Sequence, residues 1–336
     1  MEYKNLILDF EKEKFYVLDQ LLLPFEEKYI QLKDVNDVYF VIKNMNIRGA
    51  PLIGIVALIG VYLSNDTESA FELLKKARPT AVNIFNYFEK LKEILKKNKN
   101  SQKEIIRDFI INTIKAEEDK NYKISQNGFF LIKKLINKNT VNILTHCNTG
   151  SLATVGLGTA LGIIKYTHQE LSKLGGKVFV WVDETRPYLQ GSRLTAWELE
   201  KEGIEFNIIT DNTASFVMSK NLVDFICVGA DRIAKNGDTA NKIGTLNLAI
   251  LSKYFKIPFV VAAPSTSIDN SLDNLQNFKI EERNKDEVIK FKNVLITKES
   301  YNVFNPSFDV TFFYLIDYIV TEKGVFSYPF DFSKID

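Results

Sequence analysis

The chain has 336 residues, 46% apolar and 25% charged, with 43 basic against 42 acidic side chains. A chain of this length and mix can bury a core without disulfides, as one large domain or two. A net charge of +1 supplies no electrostatic footprint for nucleic acid or an anionic membrane surface. Two cysteines, Cys147 and Cys227, make no disulfide scaffold and fit a reducing cytoplasm. Two histidines, His146 and His168, are too few for a multi-histidine metal cage. Residues 1–14 carry no signal-peptide pattern, and no 18-residue apolar run predicts a membrane span.

Taken in chain order, strand-like stretches at 15–23 and 29–32 flank Pro24 and predict an antiparallel meander. Helical spacing follows at 34–43, 51–63, 66–77, 83–97 and 103–121, with Pro51 in a first turn where its missing N–H costs little. The polar run at 118–123 is read as a domain boundary, either as a linker or as an exposed helix face. Beyond it, apolar strands at 141–145, 177–182, 205–210, 224–228, 258–262 and 293–297 alternate with helices at 128–136, 151–166, 190–202, 214–220 and 242–255. Repeated βα units with buried strands predict a doubly wound parallel sheet. The expected fold class is α/β: a small mixed α+β N-terminal domain (1–120), then a Rossmann-like parallel-sheet C-terminal domain (121–336).

In such sheets ligands bind outside the carboxyl ends of the strands. The residues found there are His146-Cys147-Asn148, Asp183-Glu184-Thr185-Arg186, Asp211-Asn212, Gly229-Ala230-Asp231-Arg232 and Ala263-Pro264-Ser265. Cys147, at the start of a helix, is either a reactive thiol favoured by the helix dipole or a small buried hydrophobe. Cys227 lies inside an apolar strand and reads as inert. Asp231 is either a general acid whose pKa a buried strand end raises, or a partner in an ion pair with Arg232 or Lys242. The two acids and two arginines of 183–193 either bind a polar substrate or pair with one another in a structural network, the reading preferred for Asp183 and Arg193. Gln190 suits a sugar hydroxyl because its amide both donates and accepts. Asn241-Lys242 opens a helix within reach of a substrate anion.

Only seven of the 43 cations are arginine, and a guanidinium offers a planar fork that lysine lacks. Arg48-Gly49-Ala50 precedes a helix and suits a phosphate; Arg78 sits in a second polar turn, 78–83. The glycines of 156–162 are placed inside a helix rather than in a strand-to-helix turn, and a nicotinamide cofactor is rejected on that ground. These features predict an enzyme acting on a phosphorylated small molecule, without metal.

The stretches IRGAPLIGIVA (47–57), ARPTAVN (77–83), ILTHCNTGSLATVGLGTALGII (143–164), DETRPYLQGSRLTAWEL (183–199), the run VGADRIAKNGDTANKIGTLNLA with its continuation to 269, IEER (280–283), NPSFDVT (305–311) and TEKGV (321–325) resemble the methylthioribose-1-phosphate isomerase family in one order. The family is related to the alpha, beta and delta subunits of translation initiation factor 2B. The resemblance implies an aldose–ketose isomerase that converts 5-methylthioribose 1-phosphate to the ketose phosphate in methionine salvage. It implies no cofactor and no metal, a cytoplasmic homodimer, and no nucleic-acid or membrane partner. It carries substrate binding onto Arg48, Gly49, Ala50, Arg78, Gln190, Asn241 and Lys242, the catalytic acid onto Asp231 and the catalytic cysteine onto Cys147, and it demotes Asp183. A 5-deoxyribose-1-phosphate isomerase is the rival enzyme, and an initiation-factor-2B-like regulatory subunit the non-enzymatic one.

Overall fold

Phe15 and Val17 are buried while Tyr16 between them is not, the period-2 pattern of a strand with one face covered. They lie on β2 (Lys14–Leu18), the middle strand of an antiparallel meander with β1 (Leu6–Asp9) and β3 (Tyr29–Leu32). The structure, a computed structural model, describes residues 4–78, 81–97, 101–291, 294–333 and 335. Helices α1 (Val35–Lys43), α2 (Ala50–Leu63), α3 (Thr67–Ala77), α4 (Val82–Lys97) and α5 (Gln102–Leu135) follow. Asp34 and Asp66 cap α1 and α3 by accepting from backbone amides of the first turn. The apolar α2 is buried along most of its length.

Two compact units result: Met1–Lys120 with Gly150–Gly158, and Asn121–Thr149 with Thr159–Asp336. Phe15, Ile42, Leu52, Ile59, Phe71 and Phe88 are central to the core of the first. The segment 150–158, expected in the second domain, packs with the first. Asn5 donates to the carbonyls of Ser151 and Thr154, and Gln20 to that of Leu152. Gly49, the N-cap of α2 at φ +90°, approaches so closely that a Cβ would fall 2.0 Å from the Ala153 oxygen. The predicted helix over 151–166 is therefore corrected to α6 (Ala160–Ser172). Gly156 and Gly158 precede this helix, Gly158 at φ +97°, so the stated ground for rejecting a nicotinamide cofactor does not hold. The polar run at 118–123 is a stretch of the continuous helix α5 and not a linker.

The second unit is built on β4 (Thr140–Thr145), β5 (Lys177–Asp183), β6 (Glu205–Ile209), β7 (Phe225–Val228), β8 (Arg232–Ala234), β9 (Thr239–Lys242), β10 (Phe259–Ala262), β11 (Ile268–Asp269), β12 (Lys290–Phe291), β13 (Val294–Leu295), β14 (Phe308–Thr311), β15 (Tyr318–Thr321) and β16 (Gly324–Ser327). Its main sheet runs β6-β5-β4-β7-β10-β15-β16, parallel except for the last pair. The parallel strands thus follow the order 3-2-1-4-5-6 of a dinucleotide-type sheet, whose direction of progress reverses between β4 and β7. Ile143, Val180, Cys227 and Val260 contribute to the core on one face, and Leu144, Ile226, Val228 and Val261 to that on the other.

A smaller sheet, β11-β8-β9-β14, lies beyond the carboxyl end of β7. The predicted strand at 293–297 is partly outside the described residues; β13 pairs only with β12, away from the main sheet. The helix predicted at 214–220 is α8 (Ala214–Ser219), and the one predicted from 242 starts later, as α9 (Thr245–Phe255), because Thr239–Lys242 is strand β9. Among the described residues no helix is long and apolar enough to cross a membrane.

Candidate active site

In the first unit, Arg48 is half-buried immediately before Gly49 and the α2 N-terminus. Gly49 and Ala50 expose the first backbone amides of a helix that lacks a side-chain cap, an arrangement suited to an anion. Arg78 is the half-buried C-cap of α3; its neighbours Pro79 and Thr80 in the predicted polar turn lie outside the described residues.

In the second unit the predicted residues fall into two groups. The first surrounds Cys147, two residues beyond β4. Cys147 is 5% exposed and holds φ +66°, the left-handed region rarely populated by residues with a Cβ. Its amide donates to Thr185 Oγ1 at 2.8 Å and its carbonyl accepts from Thr195 Oγ1 at 2.6 Å. Gln190 Nε2 lies 3.3 Å from Cys147 Sγ, so the predicted sugar-binding amide and the predicted thiol are brought together. Gln190 is 2% exposed, and its Oε1 is buried with no hydrogen-bond partner among the described residues.

The reading of 190–202 as one α-helix misses its opening. Gly191–Thr195 is a π-turn, followed by α7 (Ala196–Lys201). The wider turn puts residues five apart on one face, and this stacks Gln190 with Thr195 on the Cys147 side. Thr195 is not singled out by the sequence, because nothing in a single sequence announces a π-turn; Thr185 stands in the strand-end stretch 183–186 without a role of its own.

The second group lies on the hairpin after β7. Asp231 leads into β8, and its amide donates to Ala240 O at 2.9 Å, which sets it alongside Asn241 and Lys242 on β9. Asn241 Nδ2 donates to Thr245 Oγ1 at 2.9 Å. Lys242 Nζ donates to Ser307 O at 2.8 Å and lies 4.4 Å from the centroid of the Phe308 ring. Asp309 on β14, within the stretch NPSFDVT, accepts from the amides of Gly244 and Leu246 at the start of α9. Burial pushes its carboxyl up to about 6, against those two amides and the charges of His146 and Lys242. The loops after β4 and β7 touch: a Cβ on Gly229 would fall 2.3 Å from Thr149 Cγ2.

Two expectations are corrected here. The apolar strand end does not bury Asp231; burial runs through Val228 and Gly229, and the side chain of Asp231 is exposed. Asp183 does not pair with Arg193. Its Oδ2 lies 2.9 Å from His146 Nδ1, while Arg193 stacks over Tyr188 at 5.1 Å. Arg232 pairs with Asp269 at 3.1 Å.

His146 Nε2 faces the carbonyl of Ile243 at 2.8 Å, an acceptor only, so this nitrogen carries a proton. Burial works against a charged ring, but the hydrogen bond and charge of Asp183 outweigh it and raise His146 to about 9. Burial raises Asp183 to about 6 despite the opposing pull of His146. At neutral pH the pair is an imidazolium and a carboxylate. His146, Asp183 and Asp211 offer atoms within 4.8 Å of one another, a spacing a metal ion uses. Both His146 nitrogens are engaged, however, and Asp211 accepts from the amides of Thr185 and Arg186. Cys227, fully buried in β7, has its thiol pushed up by burial.

The model of the Initiation factor 2 subunit family matches residues 48–328. A methylthioribose-1-phosphate isomerase of Caldicellulosiruptor saccharolyticus is 46% identical over 338 residues, covering 96% of each chain. One from Schizosaccharomyces japonicus is 44% identical over 95% of each. Among solved structures, the 5-methylthioribose 1-phosphate isomerase of Pyrococcus horikoshii is similar with TM-score 0.88 and 38% identity, covering 97% of this chain and 93% of that one. The translation initiation factor eIF-2B subunit delta from A. fulgidus is similar with TM-score 0.85 and 32% identity, covering 98% and 97%. The chain therefore belongs to the Initiation factor 2 subunit family, among its methylthioribose-1-phosphate isomerases.

Proposed function

We propose that the chain is an aldose–ketose isomerase that converts 5-methylthioribose 1-phosphate to 5-methylthioribulose 1-phosphate, a step of methionine salvage. The observation that carries the reading is the pair of strand ends at the reversal of the sheet. Cys147 and Asp231 follow the adjacent parallel strands β4 and β7, where an open α/β sheet binds its ligand. The near-full-length relatives named above support the same reaction.

A sugar phosphorylated on its C1 oxygen cannot open as a free aldose does. Asp231 gives its proton to the ring oxygen, and the bond from that oxygen to C1 breaks. Hydrogen then moves from C2 to C1, assisted by Cys147. The C2 hydroxyl becomes the ketone carbonyl, and its released proton restores Asp231. Arg48, Arg78 and the α2 N-terminus at Gly49 and Ala50 hold the phosphate, so that the open intermediate does not lose it. Gln190, through its unsatisfied Oε1, together with Asn241 and Lys242, orients the sugar.

The same parts serve a 5-deoxyribose 1-phosphate, and the assay carries that sugar as its second arm. Purified protein, with no metal or cofactor added, is mixed with each sugar phosphate and ketose formation is followed by NMR. Faster turnover of the methylthio sugar is expected. Faster turnover of the deoxy sugar moves the protein to that substrate. Turnover of neither by folded protein overturns the reading in favour of a regulatory subunit. The proposal includes a cytoplasmic homodimer, for which light scattering on the same sample gives a mass of two chains.

A further inference from the structure

We propose that Lys165, Glu198, Asn148 and Thr195 form one positioning network that holds Cys147 in its left-handed backbone, a proposal that rests on Cys147 acting on the sugar. None of the four is expected to touch substrate; each acts through the next.

The chain of contacts is continuous. Thr195 Oγ1 donates to Cys147 O and accepts from Asn148 Nδ2 at 3.2 Å. Asn148 Nδ2 also donates to Glu198 Oε1 at 2.9 Å, which uses both hydrogens of its amide. Glu198 Oε2 accepts from Lys165 Nζ at 2.7 Å, and Glu202 Oε1 lies 3.5 Å from the same ammonium. The side chains of Lys165 and Glu198 are 0% exposed. Three residues spread over about two turns, Gln190, Thr195 and Glu198, therefore address the Cys147 loop at the thiol, the carbonyl and the next side chain.

Stability alone does not account for this arrangement. Burying an ion pair costs desolvation that its attraction repays only in part, and apolar residues of similar volume do as well or better. A left-handed residue with a Cβ needs surroundings that over-determine it. Thr185 at φ +61° and Leu189 at φ +59° share that region with Cys147, so unfavourable backbone is concentrated around the thiol. The buried charge fixes Glu198, Glu198 fixes Asn148 and Thr195, and these hold the peptide on the carboxyl side of Cys147, while Thr185 holds its amide.

The test compares wild type with Thr195→Val, Thr195→Ser and the double variant Lys165→Met/Glu198→Leu. It reads kcat and KM for 5-methylthioribose 1-phosphate and the rate at which iodoacetamide alkylates Cys147, located by mass spectrometry. Circular dichroism checks that each variant is folded. Thr195→Val and the double variant are expected to lose about 10–100-fold in kcat with KM changed by less than about threefold, since small misplacements of a reacting group cost that much. Alkylation of the released thiol quickens, and Thr195→Ser restores both values. Wild-type kcat and alkylation in folded Thr195→Val, or a loss expressed only in KM, overturns the proposal. Should the double variant fail to fold, the Thr195 pair decides. Should wild type turn over neither sugar, the functional reading falls, while the alkylation rates still judge the positioning claim.

Discussion

After β4 the chain is locked. Cys147 is buried, bonded at its amide and its carbonyl, with Gln190 against its sulfur. After β7 it is open: Asp231 is tied through its backbone to Ala240, but its carboxyl side is exposed. Adjacent strands of one sheet thus present a buried, doubly bonded cysteine and an exposed aspartate. The difference agrees with the roles we propose for the two groups. Hydrogen transfer between neighbouring carbons tolerates little error in position, and a thiol proposed to assist it gains from being held beforehand. An acid proposed to serve the ring oxygen of a sugar must be reachable by it, and an exposed residue is reachable.

The largest effects test both sides of the contrast. Cys147→Ser and Asp231→Asn are each expected to lower kcat by roughly 10²–10⁴-fold while circular dichroism remains that of wild type. A folded Asp231→Asn protein working at the wild-type rate removes the acid role. Next, Lys165→Met leaves the Glu198 carboxylate buried without its nearest cation, and urea unfolding is expected to show a loss of about 3–5 kcal/mol. Gln190→Ala removes an amide whose oxygen awaits a partner, and KM is expected to rise about tenfold, or about 1.4 kcal/mol.

A further effect is a slope with pH. His146 is raised from 6.5 to about 9, so the folded protein retains a proton that the unfolded chain releases. That stabilisation is complete below pH 6.5 and is lost as pH rises through 9, so the thermal midpoint is expected to fall across this window. Asp183, raised from 3.8 to about 6, contributes a slope of the same sign at lower pH. His146→Asn is expected to flatten the fall between pH 6.5 and 9, and an unchanged slope in that variant sinks the assignment of the charged pair.

Much of this was legible in the residues alone. The apolar runs that became β4, β5, β6, β7 and β10 alternate with helical spacing, and the two periods follow from backbone geometry without reference to distant partners. Once a parallel sheet was expected, its strand ends picked out Cys147, Asp231 and the stretch leading to Gln190. The sequence by itself therefore determined the class of the fold and the residues at the ends of its strands. Tertiary structure decided their states. The π-turn that stacks Gln190 with Thr195, the pairing of His146 with Asp183, the exposure of Asp231 and the packing of 150–158 with the first unit all depend on neighbours remote in the chain. Periodicity reports which face of an element is apolar; hydrogen bonding and burial at a loop depend on what the rest of the fold brings to it.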